Sequence, residues 1–266
     1  MLGGLLALLV ATSATAAPAD ERDVDPVEPD FMVITLPTTL RLPRHAVAFR
    51  VTHRFARGLG EGDLGDLASD FFGFDGGALI GLELRLSPFN GNQLGIYRTS
   101  NRTISFFTQQ DLVRQGDLPV GLALLGSIEG LDNFHERHSP RVGVVASRRL
   151  GDRAAVYAVP AWIGRSRPLS DLGPGDDWTL VLGLGGRVRL GEAYAVLAEV
   201  HPRLAGYEGH PNGAPLATFA FERRVGGHAF QINFSNDLGT TPAQVARGRL
   251  GPDDWFIGFN ISRKFY

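Results

Sequence analysis

The chain has 266 residues, no cysteine and a formal net charge of −2 at pH 7. This length fits one large β domain or two small ones, and all-β barrels of this size are usually single domains. The lack of cysteine excludes disulfides and thiolate metal sites. The nearly neutral charge argues against a nucleic-acid partner, which would require a basic surface.

The first 17 residues have the pattern of a signal peptide. An apolar run over 2–10 precedes small residues, among which Ala14, Thr15 and Ala16 form an A-x-A cleavage pattern. A transmembrane anchor, the alternative, would need a longer unbroken apolar run. We expect a cleaved signal peptide (1–17) and then a periplasmic N-terminal lead-in (18–45), whose acidic, Pro-rich beginning over 18–30 is disordered.

Twelve segments after residue 45 alternate between apolar and polar or small side chains, as β-strands with two different faces do. In the second segment, for example, Leu82 and Leu84 alternate with Glu83 and Arg85. The predicted strands are 46–56, 78–88, 93–100, 103–113, 118–128, 141–150, 154–164, 178–190, 194–204, 215–224, 228–236 and 254–265. No helical pattern of any length accompanies them, so the sequence indicates an all-β fold.

The connections between these strands alternate in length. Short turns are expected at 87–92, 151–153, 191–193 and 225–227, and long polar loops at 58–77, 129–140, 165–177, 205–214 and 237–253. One connection, 99–102, is short where the alternation requires a long one. Short turns at one end and long loops at the other are typical of outer-membrane barrels, whereas a soluble sandwich has no reason to sort its loops. The sequence therefore predicts a single antiparallel up-and-down transmembrane β-barrel of about twelve strands over 46–266.

The last predicted strand is strongly amphipathic and ends in aromatic residues. It resembles the closing strand of bacterial outer-membrane barrels, in which such an ending is the assembly signal. One strand of this kind would fit a sandwich edge equally well, so the interpretation depends on the other strands. The expected assembly signal consists of Trp255, Ile257, Phe259, Ile261, Phe265 and Tyr266. The expected partners are outer-membrane lipid and the barrel-assembly machinery.

If the apolar faces contact lipid, the opposite faces line the interior. The candidate lumen-lining residues are Arg50, Arg54, Glu83, Arg85, Arg149, Arg187, Arg189, Glu199, His201, Arg203, Glu222, Arg224, Gln231, Asn233, Asn260 and Lys264. Buried charges are tolerated only when they are paired or hydrated. This mixture fits either a self-satisfied ionic interior or a narrow wet pore with a positive bias. Twelve strands enclose more space than eight, which side chains alone can fill, so some internal water is expected.

Several segments resemble an uncharacterised family of predicted bacterial outer-membrane β-barrel proteins, a domain of unknown function. Segment 40–55 is similar to its first strand, and 70–78 (DFFGFDGGA) to its loop of the form lFGlDGga. Segments 95–100 and 227–236, with Gly239-Thr240-Thr241 after the latter, extend the resemblance over most of the chain. The resemblance implies a barrel in the outer membrane and implies no activity or catalytic residue.

Two acidic or histidine-containing loops could hold a metal ion. His135, Glu136 and His138 lie together, near Asp132, but their spacing is not the helical H-E-x-x-H arrangement. A second loop carries the carboxylates of Asp63, Asp66, Asp70 and Asp75. A solvated charged loop is the favoured interpretation in both cases, and we expect neither a metal nor a cofactor.

A lipid hydrolase is the enzymatic alternative. His228, Ser235 and Asn236 are similar in type to the His, Ser and Asn set of outer-membrane phospholipases, which also have twelve strands. A serine nucleophile needs its base within hydrogen-bonding reach. Seven residues on one strand span about 20 Å, at about 3.3 Å per residue, so His228 and Ser235 cannot pair directly.

The favoured hypothesis is a narrow channel or passive transport path for a small solute, with a preference for anions. The first alternative is a structural or binding barrel with a closed lumen and partner-binding loops. The second is a membrane-embedded lipid hydrolase, and a soluble exported β protein is the alternative at the level of the fold. The sequence names no solute.

Overall fold

A computed structural model of the protein describes residues 27–170, 175–207, 213–248 and 254–265. Within these ranges thirteen β-strands form one antiparallel sheet. The strands are β1 Val47–Phe55, β2 Ala78–Leu86, β3 Asn92–Thr99, β4 Ile104–Val113, β5 Gly121–Gly130, β6 Glu136–Leu150, β7 Ala154–Gly164, β8 Trp178–Arg189, β9 Tyr194–His201, β10 Arg203–Gly206, β11 Leu216–Val225, β12 His228–Ser235 and β13 Phe256–Phe265. The predicted signal peptide, 1–17, lies outside the described residues.

The sheet closes on itself. β1 pairs with β2 on one side and with β13 on the other, while β8 pairs with both β9 and β10. Pro202 separates β9 from β10, and a proline has no N–H to donate to a ladder, so these two segments act as one interrupted strand. The result is the predicted closed, twelve-stranded, up-and-down antiparallel barrel, and the predicted fold class is confirmed.

The two ends of the barrel differ in their connections. At the turn end, as we call it, β6 and β7 are joined through Gly151 and β11 and β12 through Gly226, and both glycines have positive φ (63° and 57°) that an L side chain rarely adopts. The opposite, loop end carries α1 (Leu64–Ser69), α2 (Leu131–Phe134) and α3 (Pro242–Arg247). The short connection between β3 and β4 also lies at the loop end, as predicted.

One predicted loop is wrong. The segment 129–140 was expected to be a long loop, but β5 continues to Gly130 and β6 begins at Glu136. Glu129 pairs with Ser139 and Ile128 with Pro140 in the ladder. Charged residues and a proline are typical of loops, but in this segment they occupy paired positions at the end of a long strand.

The outer face of the strands is apolar and exposed, as a lipid-facing band requires. Leu82 in the middle of β2 is 49% exposed, and Leu84 beside it on the same face is 44% exposed. Other large apolar side chains on this surface are Ile80, Phe106, Val156, Trp162, Val188, Val196, Phe219, Phe221, Phe230 and Ile232.

No helix among the described residues is long and apolar enough to cross a membrane.

Residues 27–42 lie inside the barrel. Residues 31–38 form a hairpin, in which Thr38 N–H donates to Phe31 O (2.9 Å) and Val33 N–H to Leu36 O (2.7 Å). We call residues 27–42 the plug segment. Its apolar side chains, including Val33, Ile34 and Leu36, are buried. These residues belong to the predicted N-terminal lead-in (18–45), and their short apolar run at 31–36 packs against a matching apolar surface of the inner wall, which exists only when the barrel closes.

Candidate functional site: a cavity inside the barrel

The tip of the hairpin is held by one carboxylate of the barrel wall. Glu199 on β9 accepts hydrogen bonds from the backbone N–H groups of Ile34 (3.0 Å), Thr35 (2.8 Å) and Leu36 (3.0 Å), and from the Thr35 hydroxyl. His201 lies beside it, with Nε2 3.4 Å from a Glu199 oxygen. Successive N–H groups that converge on an anion form a concave anion site. Here the anion is the protein's own carboxylate, which fixes the hairpin tip.

Other wall side chains donate to backbone carbonyls of the plug segment. The donors are Arg50 to Ile34, Gln231 to Val33 (2.8 Å), Gln109 to Thr38 (2.9 Å), Gln93 to Leu40 (2.8 Å) and Arg187 to Val27 (2.9 Å). Buried backbone groups need such partners because an unpaired one is costly. The wall therefore provides the plug segment with the polar contacts that water would otherwise supply.

The plug segment also packs against an apolar part of the inner wall, which we call the apolar arc. It consists of Ala123, Leu125, Val145, Ala155, Tyr157, Val159, Ala195, Leu197 and Ala220, and it packs with Val27, Val33, Ile34 and Leu36. Burial of apolar surface is favourable in proportion to the area removed from water. The inner wall of this barrel is therefore not uniformly polar, and its apolar part is covered by the plug segment.

A second element, α3, closes the interior from the loop end. Glu129 on β5 accepts from the Thr241 hydroxyl (3.1 Å) and from the backbone N–H of Ala243 (3.0 Å) at the start of α3. Ala243 and Ala246 are fully buried and pack with Ala161, Ile163 and Val181 of the wall. Helix α3 is therefore anchored inside the barrel mouth by both polar and apolar contacts.

A cavity remains between the hairpin tip and α3. Its volume is about 80 Å³, which is enough to hold water molecules. One side of its wall is polar, with Arg50, Glu83, Arg85, Tyr97, Ser105, Gln109, Ser127 and Arg141. The other side is apolar, with Leu125, Val159, Ile163 and Val181.

Most interior charges are engaged in contacts with one another. Arg85 pairs with Glu83 (2.9 Å), and Arg187 pairs with Glu222 (2.6 Å). A continuous polar network, as we call it, links Arg54, Asn260, Gln231, Glu222 and Arg187, each hydrogen-bonded to the next at 2.6–3.1 Å. Buried charges are stable in such pairs when their remaining hydrogen-bonding groups are also satisfied.

Several interior guanidinium groups form no ion pair among the described residues. Among the described residues, Arg50, Arg54 and Arg141 form no ion pair, and the Nε atom of each is buried without a hydrogen-bond partner. Arg50 and Arg141 line the cavity, the former on β1 and the latter on β6. Since β6 is five positions from β1 in the ring of strands, the two arginines face the cavity from nearly opposite walls.

The sixteen candidate lumen-lining residues fall into two groups in the structure. Eleven are buried inside the barrel: Arg50, Arg54, Glu83, Arg85, Arg187, Glu199, His201, Glu222, Gln231, Asn233 and Asn260. The other five, Arg149, Arg189, Arg203, Arg224 and Lys264, are more exposed. For example, Arg189 donates to Asp152 O in a turn (2.7 Å), and Arg224 to Glu192 O (2.8 Å). The residues around the cavity come from the first group, whereas Lys264 of the second group lies over the ring of Phe31 in the plug segment (5.5 Å).

The interior residues that were not predicted from the sequence include Gln93, Tyr97, Gln109, Ser127, Glu129 and Arg141. A signal existed for Arg141, because Arg149 was assigned to the inner face and an even spacing on one strand keeps two residues on the same face. Glu129 was assigned to a loop, and Gln93 and Gln109 carry no charge to attract notice.

The two loops considered for metal binding have other contacts. Among the described residues no group of three or more His, Asp or Glu side chains could hold a metal ion. His138 Nε2 lies 3.1 Å from Phe134 O. Asp63 caps α1, and the backbone N–H groups of Asp66 and Gly65 lower the pKa of its carboxyl.

The residues considered for a hydrolase do not meet. His228 begins β12 and Ser235 ends it. His228 Nε2 lies 2.9 Å from Arg263 Nη1, whereas the buried Ser235 hydroxyl accepts from Thr218 (3.0 Å). The geometry that a serine nucleophile and its base require is absent from this strand.

Comparison with known proteins identifies the fold and the family. No curated protein matches the chain. Among solved structures, the NanC porin aligns with a TM-score of 0.53 at 8% identity, over 82% of this chain and 100% of that one. The KdgM porin aligns at 0.51 and 8%, over 83% and 99%. An outer membrane channel from Pseudomonas putida F1 aligns at 0.51 and 11%, over 85% and 97%. At these identities the likeness concerns the fold alone.

The family model described as "Membrane bound beta barrel domain (DUF5777)" matches residues 30–265. The match begins within the plug segment and ends in β13, so it includes the complete barrel. The resemblance to an uncharacterised β-barrel family is confirmed, and the chain belongs to this family of membrane-bound β-barrel domains.

Proposed function

We propose that the protein is a channel of the bacterial outer membrane for a small solute, with a preference for anions, and that the plug segment and α3 close it at rest. The observation that carries the proposal is the cavity, because it offers a solute a polar, cationic space inside the barrel. Rings of arginine favour anions in a pore, and low-dielectric walls focus their field. The solved porins and channel of similar fold support a transport role.

In this proposal the turn end faces the periplasm and the loop end faces the outside, as in other outer-membrane barrels. The plug segment leads directly into β1, which begins at the turn end. A solute that enters from outside would meet α3 first, then the cavity and then the hairpin tip. Transport would require both closures to move.

A structural barrel with a permanently closed lumen is the second candidate function. The observation that favours it is the extent of the plug contacts, which combine the apolar arc with many hydrogen bonds between the plug segment and wall side chains. In such a barrel the loops, rather than the interior, would bind a partner. The two candidates differ in whether the plug segment ever leaves its place.

A reversible covalent lock distinguishes them. The hydroxyl groups of Thr39 in the plug segment and Ser147 on β6 hydrogen-bond to each other, so Thr39→Cys with Ser147→Cys would place two thiols side by side. The chain has no cysteine of its own, so no other thiol interferes. We expect the reduced double variant to conduct like the wild type in planar bilayers, and the oxidised form to lose most of its current.

Each single-cysteine variant is the control and should conduct equally with and without oxidant. Folding is checked by the heat-dependent gel shift that closed barrels show. A folded, reconstituted wild type that passes no current in any salt would contradict the channel and favour the closed barrel. Current that survives the lock would contradict displacement of the plug segment.

A further inference from the structure

We infer that the cavity is a binding site for a small organic carboxylate with an apolar body, in which Arg141 and Ser127 hold the carboxylate. The inference deepens the proposed channel function and rests on it for the role of this ligand as the solute. Binding itself needs no transport and is measurable on the detergent-solubilised barrel.

Two hydrogen-bond donors without acceptors lie side by side in the cavity wall. Arg141 on β6 and Ser127 on β5 are directly opposite each other in the ladder, and both line the cavity. Among the described residues the Arg141 side chain donates no hydrogen bond, and the Ser127 hydroxyl is buried without a partner. Cross-strand neighbours have Cβ atoms about 4.5–5.5 Å apart, so one carboxylate can accept from both side chains.

The nearby carboxylates of the protein already have other hydrogen-bond or ion-pair partners. Glu129 holds α3 through Thr241 and Ala243, Glu83 pairs with Arg85, and Glu199 holds the hairpin tip. Glu129 attracts Arg141 electrostatically, but none of these carboxylates forms an ion pair with it. A buried charge without an ion pair is costly, and an external anion would supply one.

An apolar surface lies beside Arg141 and Ser127. Ile163 on β7 is the ladder partner of Arg141 on its other side, and Val159 and Val181 continue the apolar lining from there. Leu36 of the hairpin tip and Val245 of α3 add apolar surface at the two closures. A ligand whose carboxylate contacts Arg141 would therefore place its remaining atoms against side chains that favour an apolar group. This distinguishes an organic carboxylate from an inorganic anion.

Arg50 adds a second cation on the opposite wall, but it also donates to Ile34 O of the plug segment. It therefore raises the positive potential of the cavity while it holds the hairpin. For this reason Arg141, whose side chain forms no hydrogen bond or ion pair among the described residues, is the residue to test.

The experiment measures binding of benzoate to the folded full-length protein in neutral detergent, by calorimetry, after incubation to equilibrium. Benzamide is the neutral probe of the same shape, and inorganic phosphate is the anion without an apolar body. We expect benzoate to bind one to one, and benzamide about tenfold more weakly, since hydrogen bonds to charged groups contribute more than neutral ones. Phosphate should also bind more weakly than benzoate.

Arg141→Gln should weaken benzoate binding by about tenfold or more. Its matched control, Arg148→Gln, removes the same charge from an exposed position of the same strand and should leave binding unchanged. Ser127→Ala should weaken binding by about threefold and provides the decisive variant if Arg141→Gln fails to fold in the gel-shift assay.

Benzoate binding that neither Arg141→Gln nor Ser127→Ala weakens would overturn the inference. If benzamide bound as tightly as benzoate, the negative charge of the ligand would play no role in binding. If phosphate bound as tightly as benzoate, the site would not select an organic carboxylate with an apolar body. A barrel that conducts but binds no benzoate would refute this site and leave the channel intact. A barrel that binds benzoate but never conducts would refute the channel and leave the site.

Discussion

The apolar arc and the polar network are two parts of the same inner wall, and both contact the plug segment by different physical means. The apolar arc contacts the side chains of Val33, Ile34 and Leu36. The polar network and its neighbours contact mainly backbone atoms, as when Gln231 donates to Val33 O. Binding to the arc therefore depends on which side chains the plug segment carries, whereas binding to the network depends mainly on its backbone path.

This difference indicates how the closure would respond to change. Substitutions in the plug segment act on the arc and should loosen the hairpin locally. Substitutions in the network remove a partner from a buried charge and should destabilise the barrel as a whole. Substitutions on the lipid-facing surface and in the exposed loops give changes in stability with which these two effects can be compared.

The largest effect is expected in the polar network. Glu222 is fully buried and pairs with Arg187, so Glu222→Ala would remove one carboxylate partner of a buried cation and lower the free energy of unfolding by about 3–5 kcal/mol. Urea unfolding in lipid vesicles measures this loss. Glu192→Ala, at an exposed turn position, is the control and should change little. A loss below about 1 kcal/mol for Glu222→Ala would mean that the other contacts of Arg187 are enough to hold its charge.

A charge on the outer face is expected to have the next largest effect. Leu82→Arg would place a cation near the middle of the lipid-facing band and cost about 2–4 kcal/mol, whereas Val225→Arg, at the turn end of β11, should cost about 0–1 kcal/mol. The same unfolding assay compares the two variants. Equal costs would contradict the assignment of this face to lipid.

Weaker packing against the apolar arc should cost less free energy, and its effect should be local to the hairpin. Leu36→Ala removes buried contacts at the hairpin tip, and because Leu36 also borders the cavity the cost should lie near the low end for such changes, about 2 kcal/mol. Hydrogen exchange of the amides at 34–36 should accelerate about 30-fold if they exchange by local release of the hairpin. Leu40→Ala, which lies outside the arc, should leave these amides protected. Unchanged exchange in Leu36→Ala would show that the network alone holds the tip.

The smallest effect is expected at an exposed ion pair of the loop end. Arg102 and Asp132 pair there with their side chains 60% and 38% exposed, and such pairs contribute about 0–1 kcal/mol. Arg102→Gln should therefore leave the unfolding curve nearly unchanged, and the residual effect should fall as salt is added. A loss comparable to that of Glu222→Ala would mean that this loop is part of the cooperative unit.

The wall of the barrel was predictable from the sequence because alternation is a local property. Leu82 and Glu83 are neighbours in the chain, and a strand sends them to opposite faces wherever it lies. The pairing of β1 with β13 follows from an amphipathic last strand that requires a partner for its edge. The alternation of turns and loops then indicated which ends of the strands lie together.

The plug segment was not predictable in the same way. Its apolar residues at 31–36 are few, and they follow an acidic, Pro-rich stretch that is typical of disorder. Their binding surface is contributed by small and medium-sized residues such as Ala123, Val145 and Leu197, which lie far apart in the sequence. No single one of these residues indicates, from the sequence, that the inner wall has an apolar part.

The sequence by itself determined which side chains face lipid and which face inward, since that choice depends only on position along each strand. The tertiary structure decided which inward side chains meet, because register and closure set the neighbours of each one. Arg141 is next to Ser127 and Ile163 only through the register of β5, β6 and β7. Glu199 reaches the N–H groups of the hairpin across more than 160 positions of the chain, a contact that no local pattern encodes.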